Sequence, residues 1–160
     1  MIGVTIICEA KLKEKYLRDA SDEYVKRLGA YCKLNIIELS PKKLPEAPSD
    51  AEIYNALEAE GKEILTKIPV GARVFAMCIE GKQISSDELA QFLAQRAGSG
   101  AGDVAFVIGS SHGLSDEVKK AAALKFSMGR ITMPHQLARL VLTEQIYRAC
   151  TINAGMKYHK

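Results

Sequence analysis

Apolar, β-rich runs alternate with amphipathic helical stretches along this sequence, and the alternation predicts an α/β protein with a mostly parallel sheet covered by helices. The β-rich runs are continuously apolar, as strands buried on both faces are. Helices with recognisable capping signals separate them. With 160 residues, 48% of them hydrophobic and 26% charged, the chain suits a single globular domain over 1–160.

Five runs are predicted to be strands: 2–8, 34–39, 73–79, 104–108 and, with a weaker pattern, 124–128. The first helix is predicted from apolar residues at helical spacing, with Gly29 as its C-terminal cap. The next two begin at capping boxes, in which Ser49 pairs with Glu52 and Ser85 with Glu88. The proline-rich segment 41–48 is predicted to be an exposed loop within one domain.

Composition narrows the function classes only in part. No segment approaches the roughly 20 apolar residues of a membrane span, and residues 1–10 lack a basic leader, so we expect a cytoplasmic protein without membrane association. A net charge of +3 permits an RNA partner without requiring one. Four widely spaced cysteines form no CxxC motif and are predicted to be reduced, buried thiols rather than metal ligands: Cys8, Cys32, Cys78 and Cys150.

Glycines after the later strands indicate where a ligand binds, because ligands of open α/β sheets bind beyond the carboxyl ends of strands. The loop after the first strand contains no glycine, which argues against a dinucleotide-binding protein. Gly81 follows the third strand, while Gly109 and Gly113 follow the fourth. Each loop could be a simple turn, but their succession favours a cofactor site. Acidic residues at the next helix start, Asp116 and Glu117, favour a cofactor without phosphates.

The last predicted helix begins near Pro134 and is apolar on two sides. Leu137, Leu140 and Val141 share one side with Glu144 and Arg148, and Leu142 and Ile146 lie on the other. Either a second copy of the chain covers one side, or the helix is wrapped entirely by its own domain. Glu144 and Arg148 are one helical turn apart and can form an ion pair, either structural or lining a site.

Several motifs together closely resemble the ribosomal large subunit methyltransferase H (RlmH) family. They are FVIGSSHGL at 106–114, MPHQLAR at 133–139, EQIYRA at 144–149 and YHK at 158–160, with KLKEKY at 11–16 near the start. The resemblance spans the whole chain. It implies a SPOUT-type α/β fold with a C-terminal trefoil knot and an obligate homodimer.

The resemblance also implies a reaction, the methylation of N3 of a pseudouridine in helix 69 of 23S ribosomal RNA, on assembled 70S or 50S particles. S-adenosylmethionine is the implied methyl donor, and no metal is implied. The implied cofactor residues lie in three late loops: Met77, Gly109, Met128, Gly129, Arg130, Ile131, Thr132 and Met133. The chain departs from the family at Ser110, where a second glycine is usual, and in the turn at 128–131.

Methyl transfer to N3 requires alignment of methyl group and nucleophile and removal of a proton. The resemblance places the tail beside the RNA site of the partner subunit. We therefore hypothesise that His159 assists deprotonation or positions the base, that Tyr158 stacks or hydrogen-bonds, and that Lys160 meets phosphate. Glu144 and Arg148 are the further candidate catalytic residues.

His135 is the fifth candidate, as a support of the cofactor loop, although a histidine at a helix start often caps or packs. A disordered terminus is the alternative for the tail. Two other functions stay open from the sequence: a non-enzymatic ribosome-binding or assembly factor that uses the same dimer, and a nucleotide-binding α/β protein, which the glycine-free first loop disfavours.

Overall fold

The computed structural model describes residues 1–99 and 102–160, and it forms three layers with a sheet between two sets of helices. Gly100 and Ala101, part of the segment predicted to end the third helix, lie outside the described residues. The elements follow one another as β1 (Gly3–Cys8), α1 (Lys15–Leu28), β2 (Lys33–Glu38), α2 (Asp50–Lys67), β3 (Arg73–Gln83), α3 (Ser86–Ser99), β4 (Val104–Ile108), α4 (Asp116–Ala121), β5 (Leu124–Ser127) and α5 (His135–Asn153).

The sheet has the strand order β2-β1-β4-β3-β5, and every pairing is parallel. This confirms the predicted fold class and all five strands. Because β1, β4 and β3 are interior strands, their side chains must be apolar toward both layers of helices. Val104 to Ile108 are accordingly all buried. The C-terminal knot stays a prediction of the resemblance.

Alternate residues of the strands point into two separate cores, as the pleat requires. Phe75 and Phe106 stack with their ring centroids 5.2 Å apart in the larger core, which α1, α3 and α5 cover. Ile7 and Val107 point to the opposite face, where Ile64 of α2 and Val118 of α4 cover them. Helix α5 contributes Leu142, Ile146 and Ala149, all fully buried, to the larger core.

Strand β3 is longer than predicted. The strand was predicted to end at residue 79, but residues 80–83 also belong to it, and its pairing with β5 shifts between Met77 and Lys82. Gly81 approaches β5 so closely that an added Cβ would lie 2.6 Å from the backbone of Phe126. The glycine is therefore explained by close packing of two strands, and its predicted place in a ligand loop was wrong.

The predicted helix starts are confirmed in their hydrogen bonding. Ser49 and Glu52 form both bonds of a capping box, and so do Ser85 and Glu88. Pro134 is the N-cap of α5, in agreement with a helix that begins near this residue. Gly29 follows α1 but keeps a right-handed conformation with φ −55°, so it does not form the left-handed cap that its residue type predicts.

All four cysteines are free and buried, as predicted. Across the described residues, no helix is both long and apolar enough to cross a membrane.

Candidate functional site

A cavity of about 590 Å³ opens at the carboxyl ends of β3, β4 and β5. Its size is in the range of small-molecule and cofactor sites. The second half of β3 and the loops after β4 and β5 build its walls, and seven of the eight predicted cofactor residues line it: Met77, Gly109, Met128, Gly129, Ile131, Thr132 and Met133. Arg130 is the exception, since it is exposed and is absent from the lining. His135, the first residue of α5, also lines the cavity.

Gly109 is required by the close approach of two loop backbones. A Cβ at this position would lie 2.1 Å from the carbonyl oxygen of Gly113, far inside contact distance. Gly113 has a φ of +93° and donates its amide to the carbonyl of Ser110 at 2.9 Å, which closes the turn. Both glycines line the cavity, so the wall here is a tight turn that requires glycine at its two ends.

The turn before α5 is held by a serine. The Ser127 hydroxyl accepts the amide of Gly129 at 3.1 Å and donates to the Gly129 carbonyl at 2.9 Å. Gly129 has a φ of +126°, a conformation that favours glycine. Ile131, two residues on, is 85% exposed although it borders the cavity. An apolar side chain in this position is available to cover a bound ligand.

Two buried carboxyl groups lie beneath the Gly109–Gly113 turn. Glu60 of α2 is 3% exposed and accepts a hydrogen bond of 2.9 Å from the Ser110 hydroxyl. Glu9, which follows β1, is 1% exposed, and among the described residues neither of its carboxyl oxygens has a hydrogen-bond partner. Burial, and then the negative charge of Glu60, raise the pKa of Glu9 to about 7. Ser110, the departure from the family pattern, thus ties the Gly109–Gly113 turn to this acidic pair.

A second cluster of polar groups forms where the C-terminal tail returns to α5. Arg148 donates to Glu144 Oε1 from Nε at 3.0 Å and from Nη2 at 2.6 Å, so the predicted ion pair is present. The Tyr158 hydroxyl donates to the same oxygen at 3.0 Å. Arg148 Nη1 lies 3.4 Å from His159 Nδ1. The tail is therefore packed on the helix of its own chain, rather than disordered.

Aromatic rings hold the tail in place. Tyr158 was predicted to stack or hydrogen-bond, but sequence reasoning did not identify Tyr147 and Tyr24 as its partners. The rings of Tyr147 and Tyr158 meet edge to face with centroids 4.9 Å apart, and the Arg148 guanidinium lies 4.7 Å from the Tyr158 centroid. Burial and hydrogen bonding to Tyr24 and Glu144 raise the pKa of Tyr158, which keeps its phenol protonated at neutral pH. Tyr24 lies on α1, over 120 residues away in sequence, so no local pattern could indicate it.

The structure separates the predicted catalytic residues from the cavity within one chain. His135 borders the cavity, whereas Glu144, Arg148, Tyr158 and His159 are absent from its described lining. At 1.5 Å per residue, Glu144 lies about 13 Å along α5 from His135, and Arg148 lies about 20 Å from it. A single copy thus has a cofactor-sized cavity at one end of α5 and a polar tail cluster toward the other.

One outer side of α5 remains partly uncovered. Leu137 is 39% exposed, and Leu140 and Val141 are only partly buried, while Leu142 and Ile146 on the other side are fully buried. Of the two arrangements that the sequence allowed, complete wrapping by the chain's own domain is not what one copy shows. In the described part of the chain, no three His, Cys, Asp or Glu side chains converge in a way that could hold a metal ion.

Comparison with known proteins identifies the family to which this chain is similar. Residues 2–159 match a family model described as "Predicted SPOUT methyltransferase". A protein of Ligilactobacillus salivarius (strain UCC118) named "Ribosomal RNA large subunit methyltransferase H" is 51% identical over 159 residues, which are 99% of this chain and 100% of that protein.

Proteins of the same name from two other bacteria are similar to this chain to the same degree. The one from Bacillus cereus (strain B4264) is 51% identical over the same shares of both chains. The one from Lactococcus lactis subsp. cremoris (strain SK11) is 49% identical over 157 residues, 98% of this chain and 99% of that protein. The chain therefore belongs to the SPOUT methyltransferases and, within them, to the RlmH family.

Proposed function

We propose that this protein is an S-adenosylmethionine-dependent methyltransferase of ribosomal RNA. The observation that carries the proposal is the cavity of about 590 Å³ between β3 and the loops after β4 and β5, in a chain that matches full-length relatives named for rRNA methylation. The lining is mainly apolar with exposed loop backbone, which suits an adenine ring and a sulfonium. Asp116 and Glu117 at the start of α4 disfavour a phosphate-bearing cofactor there.

The finer assignment follows the family resemblance. The methyl acceptor is N3 of a pseudouridine in helix 69 of 23S rRNA, and the substrate is the assembled 70S or 50S particle in the cytoplasm. Three motifs of this chain support the assignment. Residues 106–114 form part of the cavity wall, residues 133–139 form its border on α5, and residues 158–160 form part of the tail cluster.

The enzyme acts as a homodimer. The partly uncovered side of α5 supports this, and so does the distance of about 13 to 20 Å between the cavity border and the tail cluster. A second copy packed on α5 would bring its tail toward this cavity, so that each active site combines the cofactor loops of one chain with the tail of the other.

S-adenosylmethionine held by the cavity residues Gly109, Met128 and Thr132 would supply an electrophilic methyl group to N3, and the N3 proton would pass to a base of this protein. His159 is proposed as that base or as the group that positions the nucleobase. Arg148 Nη1 lies 3.4 Å from His159 Nδ1 and so helps to position that ring, and Glu144 holds Arg148 in place. Tyr158 orders the tail, and Lys160 meets phosphate.

Methyl incorporation tests the function directly. Ribosomes lacking the modification are incubated with the protein and labelled S-adenosylmethionine, and the modified base is then mapped in 70S, 50S and free rRNA. We expect label at one pseudouridine of helix 69 in the assembled particles. Cofactor binding is measured in parallel as heat stabilisation. An assembly factor of the same dimeric form would show ribosome binding with neither methyl transfer nor stabilisation by the sulfonium.

Replacement of His159 tests the mechanism. His159→Ala should lower methyl transfer at least 100-fold, because general base catalysis commonly contributes 10²–10⁴-fold. Cofactor affinity should stay near that of the wild type, since His159 is absent from the described cavity lining. Met156→Ala is the matched control, since Met156 is an exposed tail residue. Unchanged turnover of His159→Ala on ribosomes would remove His159 from the mechanism.

A further inference from the structure

Exposed lysines lie beside the cavity on the loop between β1 and α1, which we call the basic loop and define as residues 10–14. Lys11 and Lys13 are exposed, while Leu12 between them is buried. Within the described part of the chain, neither lysine has a carboxylate partner in an ion pair. Glu14 is the only acidic residue of the loop and forms the N-cap of α1.

The backbone of the basic loop is anchored at several points. Arg139 donates to the Ala10 carbonyl at 3.3 Å, and Arg18 donates to the Leu12 carbonyl at 3.1 Å. The Lys13 amide donates to Gln136 Oε1 on α5 at 2.9 Å. These bonds and the buried Leu12 side chain limit the conformational freedom of the loop. Its two ammonium groups are therefore presented from a preorganised backbone, which lowers the entropy lost on binding.

The anchoring places the loop against the cofactor site. β1 and β4 are neighbouring parallel strands, so the loops at their carboxyl ends adjoin. Ala10 and Leu12 border a small cavity together with Gly109 and His135, and both of those residues also line the large cavity. The basic loop is therefore next to the wall of the cofactor site, on the side where α5 begins.

A third cation, Arg130, lies in the loop after β5, beside another part of the cavity wall. Arg130 is exposed, and its neighbours Gly129 and Ile131 both line the large cavity. Like the two lysines, Arg130 has no ion-pair partner among the described residues. The net charge of the whole chain is only +3, so what singles out these three cations is their position beside the cavity and not a general excess of positive charge.

We propose that Lys11 and Lys13 on the basic loop, with Arg130 on the loop after β5, form a docking surface for the phosphate backbone of the RNA substrate. Unpaired, exposed ammonium groups attract phosphates and release counterions when they bind them, which makes binding salt-dependent. Such contacts position the nucleic acid without reading its sequence. The inference rests on the proposed function, because it assumes that the polyanion is the ribosomal RNA substrate.

The test measures binding to ribosomal particles separately from methyl transfer. The double variant Lys11→Gln, Lys13→Gln should bind 50S and 70S particles about 10-fold more weakly at 0.15 M salt, on the order of two lost phosphate contacts. The slope of log Kd against log salt should fall by about one for each lysine. Cofactor binding and the rate constant at saturating substrate should stay near the wild-type values.

Two further variants make the result specific. Lys33→Gln, Lys67→Gln removes the same charge from exposed lysines at the start of β2 and the end of α2, toward the amino edge of the sheet, and should bind like the wild type. Lys11→Arg, Lys13→Arg keeps the charge and should also retain binding. Wild-type affinity and salt slope in the glutamine double variant would overturn the proposal, as would an equal loss in the Lys33, Lys67 control.

The two hypotheses can fail separately. If the wild type binds particles and the glutamine variant does not, but no methyl group is transferred, the docking surface stands and the proposed activity falls. If methyl transfer occurs and the glutamine variant matches the wild type in affinity and salt slope, the activity stands and the docking surface falls.

Discussion

The buried carboxyl of Glu9 should make the stability of this protein depend on pH, and Glu9→Gln should abolish that dependence. Glu9 is 1% exposed, and its carboxyl oxygens have no hydrogen-bond partner among the described residues. Glu60 and Glu63 repel its charged form, and Lys42 favours it only weakly. Glutamine has nearly the same shape as the protonated acid and carries no charge at any pH.

The size of the change in unfolding free energy follows from the pKa of Glu9, which is about 7 in the folded protein against an ordinary value of 4.5. The folded state holds this proton more tightly than the unfolded state does. The free energy of unfolding is therefore unaffected below pH 4.5 and falls as the pH rises from 4.5 through 7. Above pH 7 the full loss is about 3 kcal/mol, an upper value, since water entry at an ionised carboxyl reduces it.

Thermal and urea unfolding between pH 4.5 and pH 8.5 measure the effect. At pH 5 we expect Glu9→Gln and the wild type to be similar, and at pH 8 the variant should be more stable by about 2–3 kcal/mol. In a chain of this size that corresponds to a Tm difference of roughly 5–10 °C. Glu46→Gln in the exposed 41–48 loop is the matched control. Parallel pH profiles of Glu9→Gln and the wild type would refute the reasoning.

Three further changes probe the cofactor loop and the tail cluster. Gly109→Ala should lower cofactor affinity at least 10-fold in calorimetry, because its Cβ would lie 2.1 Å from the Gly113 carbonyl; Gly98→Ala, with open space around it, should leave affinity unchanged. Ser110→Ala removes a hydrogen bond to a buried carboxylate and should cost about 1.5–3 kcal/mol in urea unfolding, and an unaltered midpoint would show that Glu60 does not hold the loop. Arg148→Ala should reduce turnover or dimer assembly, seen by light scattering, and full activity in a normal dimer would exclude both roles for Arg148.

Some of the candidate site could be predicted because its signals are local. Glycines after β4 and before α5 mark tight backbone, and the structure places Gly109 and Gly129 on the cavity with geometry that only glycine tolerates easily. Gly81 carries a similar local signal, yet it packs against Phe126 of β5 inside the sheet. A glycine pattern indicates close approach of a backbone, but it does not distinguish a ligand from a neighbouring strand.

Other features depend on contacts between distant parts of the chain. Glu9 follows an apolar strand and looks like an ordinary surface acid at the start of a loop. Its burial arises because α2 packs over the end of β1 and brings Glu60 toward it, about fifty residues later. Tyr24 and Asp87 join the tail cluster from α1 and α3 in the same way, with Asp87 Oδ2 3.9 Å from His159 Nε2.

The sequence by itself determined the parallel α/β class, the five strands, the capped starts of α2 and α3, and the glycine-containing loops after β4 and β5 that line the cavity. Those properties follow from periodicity, capping and glycine placement, all of which act over a few residues. Only the tertiary structure decided that β3 runs on to Gln83, that Glu9 is buried without a partner, and that the tail cluster lies away from the cavity. The physical reason is that burial and desolvation depend on which distant segments meet, and local residue patterns do not specify those meetings.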